Sequence, residues 1–208
     1  MAGFFCYDDI MKFIGITGGA GAGKSTVLAL IKENCNCKIV LADELAAELM
    51  TPGHDTYERV VRLPWDRLIT NPDGTIDRPA MAASMFANDE LREMVNSIVH
   101  PAVRFEILNQ VERAREAHNI EYFFFEAALL IECDYDKIVD ELWYIYATPE
   151  VRRDRLKRDR GYSDVRIDNT FASQLSDEEF RRHASFIIDN SGDFEATARQ
   201  IKDKLNLE

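Results

Sequence analysis

No stretch of this 208-residue sequence runs to about 18 consecutive apolar residues, so no segment qualifies as a membrane-spanning helix. The N-terminal stretch carries Asp8 and Asp9 where a signal peptide would carry a basic region. The expected compartment is the cytoplasm, with no membrane partner. Cysteine is scarce: Cys6, Cys35, Cys37 and Cys133 are the only four, in a chain too long and too ordinary in composition for a disulfide scaffold. Cys35 and Cys37 are one residue too close for a C-x-x-C pair, and no second cysteine or histidine pair completes a zinc site. All four are therefore expected to be free thiols. Positive charge is also in deficit, with 25 basic against 37 acidic residues and a net charge of −12. That excludes a general nucleic-acid binder and makes any local basic cluster informative. Internal repeats, low-complexity segments and interdomain linkers are absent.

What remains is 46% hydrophobic and 30% charged, ordinary for one α/β domain with an inserted subregion. Its most informative stretch is Gly18, Gly19, Ala20, Gly21, Ala22, Gly23, Lys24, Ser25 and Thr26. An apolar run precedes it and an apolar helical pattern follows from Val27, so G-x-x-x-x-G-K-S stands between strand and helix, the context of a phosphate-binding P-loop. The glycines let backbone N–H groups turn inward around phosphates, and the helix start adds a field favourable to anions. Lys24 is placed to reach the β- and γ-phosphates of ATP, and Ser25 offers a hydroxyl to Mg²⁺. Gly19 through Thr26 are thus the expected nucleotide-binding residues, with Thr26 directed to the α-phosphate or else buried in the helix.

Alternating strand and helix patterns predict a three-layer α/β/α fold on a five-stranded, mostly parallel sheet. The strands are expected near residues 12–16, 38–41, 122–125, 142–146 and 186–188, and helices over 24–34 and 44–50. Residues 54–117 read as mostly helical, with turns at 71–74 and before Pro101, long enough to cover a substrate. One P-loop domain over 12–208 is therefore expected. Its core is about 12–53, 120–150 and 184–208, its helical substrate-binding region about 54–117, and residues 1–11 form an extension. In parallel α/β sheets ligands sit at the carboxyl ends of strands, where the P-loop, Asp43, Glu126, the Thr148–Pro149 turn and Asn190 all fall.

No N-K-x-D guanine reader occurs, which excludes a GTPase, and the chain is short for a motor ATPase. Arg152, Arg153, Arg155, Lys157, Arg158 and Arg160 form the expected basic cluster, opposed only by Asp154 and Asp159. An Arg-rich lid over about 152–175 would charge-stabilise a transferring phosphoryl group and exclude water, as in small-molecule kinases.

The order of motifs resembles the dephospho-CoA kinase family over nearly the whole chain. Its carriers are Ile14 to Gly19 with the P-loop, Ala42-Asp43, Gly74 to Arg78, His100-Pro101, Leu129 to Glu132, Ala172-Ser173-Gln174 and Ile188 to Gly192. Leu41, Glu126, Ala128, Phe180 and Ser185 depart from the family's common residues, leaving the P-loop, Asp43 and the basic cluster intact. The resemblance implies ATP-dependent phosphorylation of the ribose 3′-hydroxyl of dephospho-CoA, giving coenzyme A and ADP. It implies Asp43 as the carboxylate beside the attacking hydroxyl, the plainer alternative being an N-cap. Lys24, Arg155 and Arg160 are expected on the phosphates, with Arg158 next. Arg78 and His100 would contact dephospho-CoA or brace its pocket, while Glu126 would hold a metal-bound water or accept backbone hydrogen bonds. Asn190 and Gly192 would bracket adenine. His54, His118 and His183 read as surface residues, and the protein as a monomer or weak homo-oligomer. The competing readings are another P-loop kinase, acting on a nucleoside, nucleotide or shikimate-like alcohol, and a regulatory module that binds ATP without transferring phosphate.

Overall fold

The computed structural model describes residues 11–207; the expected extension, Cys6 included, lies outside them except for Met11. Five strands are present: β1 (Lys12–Thr17), β2 (Cys37–Leu41), β3 (Tyr122–Glu126), β4 (Glu141–Tyr146) and β5 (Phe186–Asp189). They form one sheet in the order β2-β3-β1-β4-β5. The pairings of β1 with β3, β1 with β4 and β4 with β5 are parallel, with Ile14 opposite Phe124 and Ile16 opposite Trp143. β3 reads Phe123-Phe124-Phe125 because a central parallel strand is covered on both faces, and all three rings are fully buried. Phe13 meets Phe123, Phe124 meets Trp143 and Trp143 meets Phe186, all edge to face with centroids 5.2 to 5.7 Å apart. Each strand extends the sequence expectation by one residue.

With β1 central, the chain goes first to one side for β2 and β3 and then to the other for β4 and β5. The crevice beyond the carboxyl end of β1 is thus the topological switch point. The flanking helices are α1 (Lys24–Asn34), α6 (Pro149–Arg160), α7 (Asp164–Ala172), α8 (Asp177–His183) and α9 (Phe194–Leu205). Four of these carry side-chain N-caps: Thr148, Ser163, Ser176 and Asp193, with Ser176 and Glu179 closing a capping box. α9 buries Thr197, Ile201 and Leu205 at a spacing of four, which keeps one helical face inward. Two residues that depart from the resembled family have structural work. Phe180 is buried and stacks on Tyr144 at 4.8 Å, and the Ser185 hydroxyl both accepts from Leu142 N and donates to Leu142 O.

The described residues divide into two compact units, one of residues 11–40 and 113–207 and one of Leu41–Glu112. The second holds α2 (Ala42–Leu49), α3 (Asp55–Val61), α4 (Arg78–Ala87) and most of α5 (Asp89–Ala117). It therefore takes in α2, which the sequence reading assigned to the core. An open groove of about 580 Å³ within it is lined by Met50, Thr51, Ile76, Arg78, Pro79 and Met81, among others. The expected turn at 71–74 is present, with Asp73 accepting from Thr75 N at 3.0 Å. The expected turn before Pro101 is not: α5 runs through Pro101 without a break. An interior proline costs about 3 kcal/mol. Against it stand seven buried apolar residues, Leu91, Val95, Ile98, Val99, Val103, Ile107 and Val111. Each contributes about 1.5–3 kcal/mol when fully buried, so the stripe outweighs the proline. Among the described residues no helix is long and apolar enough to cross a membrane.

Candidate active site

At the carboxyl end of β1 the chain turns sharply. Gly21 and Gly23 have φ of 80° and 90°, backbone that side chains with a Cβ rarely adopt. Space confirms the need for glycine: a Cβ on Gly19 would approach the Arg152 guanidinium to 2.3 Å, and one on Gly23 would meet Asn190 Nδ2 at 2.3 Å. α1 then starts with Gly23 as its N-cap and no side chain capping it, and its first turn holds no acidic residue. The first N–H groups of a helix have no intrahelical acceptors, so this end presents donors and positive field to a phosphate. Ser25 and Thr26 are both exposed in that turn, which removes the reading of Thr26 as a buried helix residue. A phosphate chain and a hydroxyl-bound divalent ion fit these residues.

Lys24 Nζ donates to Gly18 O at 2.8 Å and lies 3.5 Å from Glu126 Oε1. Glu126 ends β3, beside β1, so sheet register brings this carboxylate to the P-loop lysine. Neither expected role, holding a metal-bound water or accepting backbone hydrogen bonds, described this pairing with Lys24.

The basic segment also reaches the loop, through residues other than expected. Arg152 Nε donates to Ala20 O at 2.9 Å and Nη2 to Gln174 Oε1 at 2.7 Å. Burial lowers the Arg152 pKa, with Tyr144 and Asp177 opposing the shift. Arg155 is at the loop as anticipated, but it donates to Ala22 O at 3.2 Å and to Asn190 O at 2.8 Å, so it braces backbone carbonyls. Arg160 is the last residue of α6 and exposed. At about 1.5 Å of rise per residue it stands roughly 12 Å along the axis from Arg152. Arg158 pairs with its neighbour Asp159 at 2.6 Å. In a run of basic residues a register ambiguous by one or two positions decides which cations face inward, and Arg152 is the residue that sequence reasoning missed. Gln174 was missed as well, although it lies in a motif that carried the resemblance.

Asn190 has a structural task that the sequence reading did not give it. Its side chain is buried, donating to Ala22 O at 2.8 Å and accepting from Thr197 Oγ1 at 3.0 Å. The amide thereby ties the P-loop to α9. Gly192 is exposed, with open space where a Cβ would stand. His183 is exposed, as expected, and its Nδ1 lies 2.9 Å from Asp136 Oδ2.

In the helical unit Asp43 is exposed in the first turn of α2, two residues beyond the end of β2. Leu41 is the N-cap, which removes the capping alternative for Asp43. Arg78 is the first residue of α4, exposed at the groove, behind the N-cap Asp77 that accepts from Ala80 N. His100 is half-buried in the middle of α5. No group of three or more potential metal ligands occurs among the described residues. Cys35, Cys37 and Cys133 are free thiols, as expected.

Comparison with known proteins matches residues 12–196 to the family model described as dephospho-CoA kinase. The dephospho-CoA kinase of Symbiobacterium thermophilum is 35% identical over 192 residues, covering 92% of this chain and 79% of that protein. That of Carboxydothermus hydrogenoformans is 34% identical over 192 residues, covering 92% of each. Among solved structures, TT1252 from Thermus thermophilus superposes with a TM-score of 0.76 at 26% identity, covering 95% of this chain and 97% of that one.

Proposed function

The chain belongs to the dephospho-CoA kinase family, and from that footing we propose how its residues divide the reaction. In that reaction the γ-phosphoryl group of ATP passes to the ribose 3′-hydroxyl of dephospho-CoA, leaving coenzyme A and ADP. Phosphoryl transfer asks little covalent chemistry of a protein; it asks for alignment and for stabilisation of charge on the transferring group. The uncapped start of α1 and the loop N–H groups hold the β- and γ-phosphates. Lys24 neutralises charge developing between them. Asp43 orients the 3′-hydroxyl and takes its proton as the bond to phosphorus forms. Arg78 and His100 serve the acceptor, Arg78 from the edge of the groove in the helical unit. Ser25 and Glu126 would hold Mg²⁺, Glu126 through water; the ion would screen the triphosphate and polarise the γ-phosphoryl group. The segment over about 152–175 acts as the lid, with Arg155 and Arg160 turning to phosphate when it closes. The enzyme works in the cytoplasm as a monomer or weak homo-oligomer.

The observation that carries this reading is the meeting of Lys24, an uncapped helix start and two α6 arginines at one glycine loop. The test is ADP release from ATP and Mg²⁺ with and without dephospho-CoA, followed by the product's mass. Strict dependence on dephospho-CoA with coenzyme A as product is expected. ADP release indifferent to dephospho-CoA would overturn it.

A further inference from the structure

Arg152, Gln174 and Ala20 close a ring of three hydrogen bonds. Arg152 Nε donates to Ala20 O, Arg152 Nη2 donates to Gln174 Oε1, and that same oxygen accepts from Ala20 N at 3.2 Å. Both backbone polar groups of one P-loop residue are thus held by side chains that lie 132 and 154 positions away in sequence. The guanidinium is backed by Phe171 of α7, whose ring centroid is 4.2 Å from Arg152 Cζ. The space is filled so closely that even a methyl on Gly19 would collide with Nη2.

A glycine-rich loop is costly to order, about 1–2 kcal/mol of backbone entropy for each residue fixed. A loop already shaped does not lose that entropy when the ligand arrives, which is how preorganisation raises affinity. Neither partner of Ala20 comes from the loop itself. One comes from α6 and one from the segment between α7 and α8, so the loop's shape depends on how that helical segment is seated.

We infer that Arg152 and Gln174 form a latch that pre-shapes the P-loop for the nucleotide triphosphate, Arg152 acting as a positioning residue. The inference rests on the ATP-dependent reaction above, which assigns this segment as a lid but gives neither residue a role. Because the ring is broken by losing either member, the two side chains contribute as one unit.

The test is calorimetric titration of the full chain with MgATP and MgADP, beside melting temperatures and separate KM values for ATP and dephospho-CoA. Arg152→Ala and Gln174→Leu should each weaken nucleotide binding about tenfold, and the double variant no more than either alone, as for one coupled interaction. Gln174→Glu keeps an acceptor for both donors and should stay within about threefold of the parent, while Arg152→Lys, a single-pronged donor, should not. KM for dephospho-CoA should not move. Additive losses, or folded variants that bind nucleotide like the parent, would overturn the latch while leaving the family's reaction intact. If the truncated variants fail to fold, the contrast between Arg152→Lys and Gln174→Glu decides. Failure of the parent protein to bind MgATP would instead overturn the reading on which the latch rests.

Discussion

Lys24 and Glu126 face each other across 3.5 Å at the ends of neighbouring elements, their side chains only 18% and 15% exposed. The pair holds the lysine over the loop, with Gly18 O as its second partner. In the proposed reaction the same carboxylate also serves the metal. Glu126→Gln keeps the shape and removes the charge. We expect kcat to fall roughly tenfold to a hundredfold, with a rise in the Mg²⁺ concentration needed for half-maximal turnover. An unchanged Mg²⁺ dependence would leave Glu126 as the partner of Lys24 alone.

Asp43, the proposed base, should separate binding from chemistry. Since it is not the N-cap of α2, its loss costs the helix little beyond a first-turn charge, about 0.3–1 kcal/mol. Asp43→Asn should therefore lower kcat about 10²- to 10⁴-fold, the usual worth of a positioned base, while KM for ATP stays within about threefold. Steady-state kinetics with both substrates varied checks this; wild-type turnover in the Asn variant removes Asp43 from the mechanism.

Asn190 is expected to report on stability first. Asn190→Ala leaves Ala22 O without one of its donors and the Thr197 hydroxyl with only its longer bond to Asp193 O, both residues being buried. Each unsatisfied buried group costs about 1–3 kcal/mol. Urea unfolding should show a loss in that range, and nucleotide binding should weaken because Ala22 belongs to the cradle. Arg155 also holds Ala22 O, which keeps the loss below the sum of two groups.

Glu141 carries an acid-dependent share of stability. Burial opposes its ionisation, but hydrogen bonds from Trp143, Lys204 and Lys12 outweigh it and bring its pKa from 4.5 down to about 2. The unfolded chain thus binds this proton at higher pH than the folded one. The stabilisation is complete above about pH 5 and is lost as pH falls toward 2. Denaturant midpoints at pH 7, 4 and 3 should fall more steeply for the parent than for Glu141→Gln. Parallel declines would show that the Lys12–Glu141–Lys204 link between β1, β4 and α9 carries no such share.

Much of this arrangement was legible from local signals. The P-loop, the five strands and the placement of Asp43 and Glu126 at strand ends follow from runs and spacings of a few residues. What was not legible depends on distant register. Pro101 looked like a boundary because a proline's cost is visible in a window of five residues, whereas the buried stripe that overrides it spans the whole of α5. Arg152 could not be told from Arg160, because facing the loop is a matter of helix phase once α6 is docked. Asn190 offered an amide at a strand end, and nothing nearby in sequence shows that Ala22 and Thr197 engage it.

Four helices of the α/β unit begin on a serine, threonine or aspartate that completes their first turn; α1 begins on glycine. In the proposed reaction the triphosphate takes the place of that cap, so bound nucleotide would support the fold as well as react. Stability then rises with the logarithm of nucleotide concentration relative to its dissociation constant. On that reading, removing nucleotide would lower the stability of the protein as well as its turnover, two losses with one structural origin.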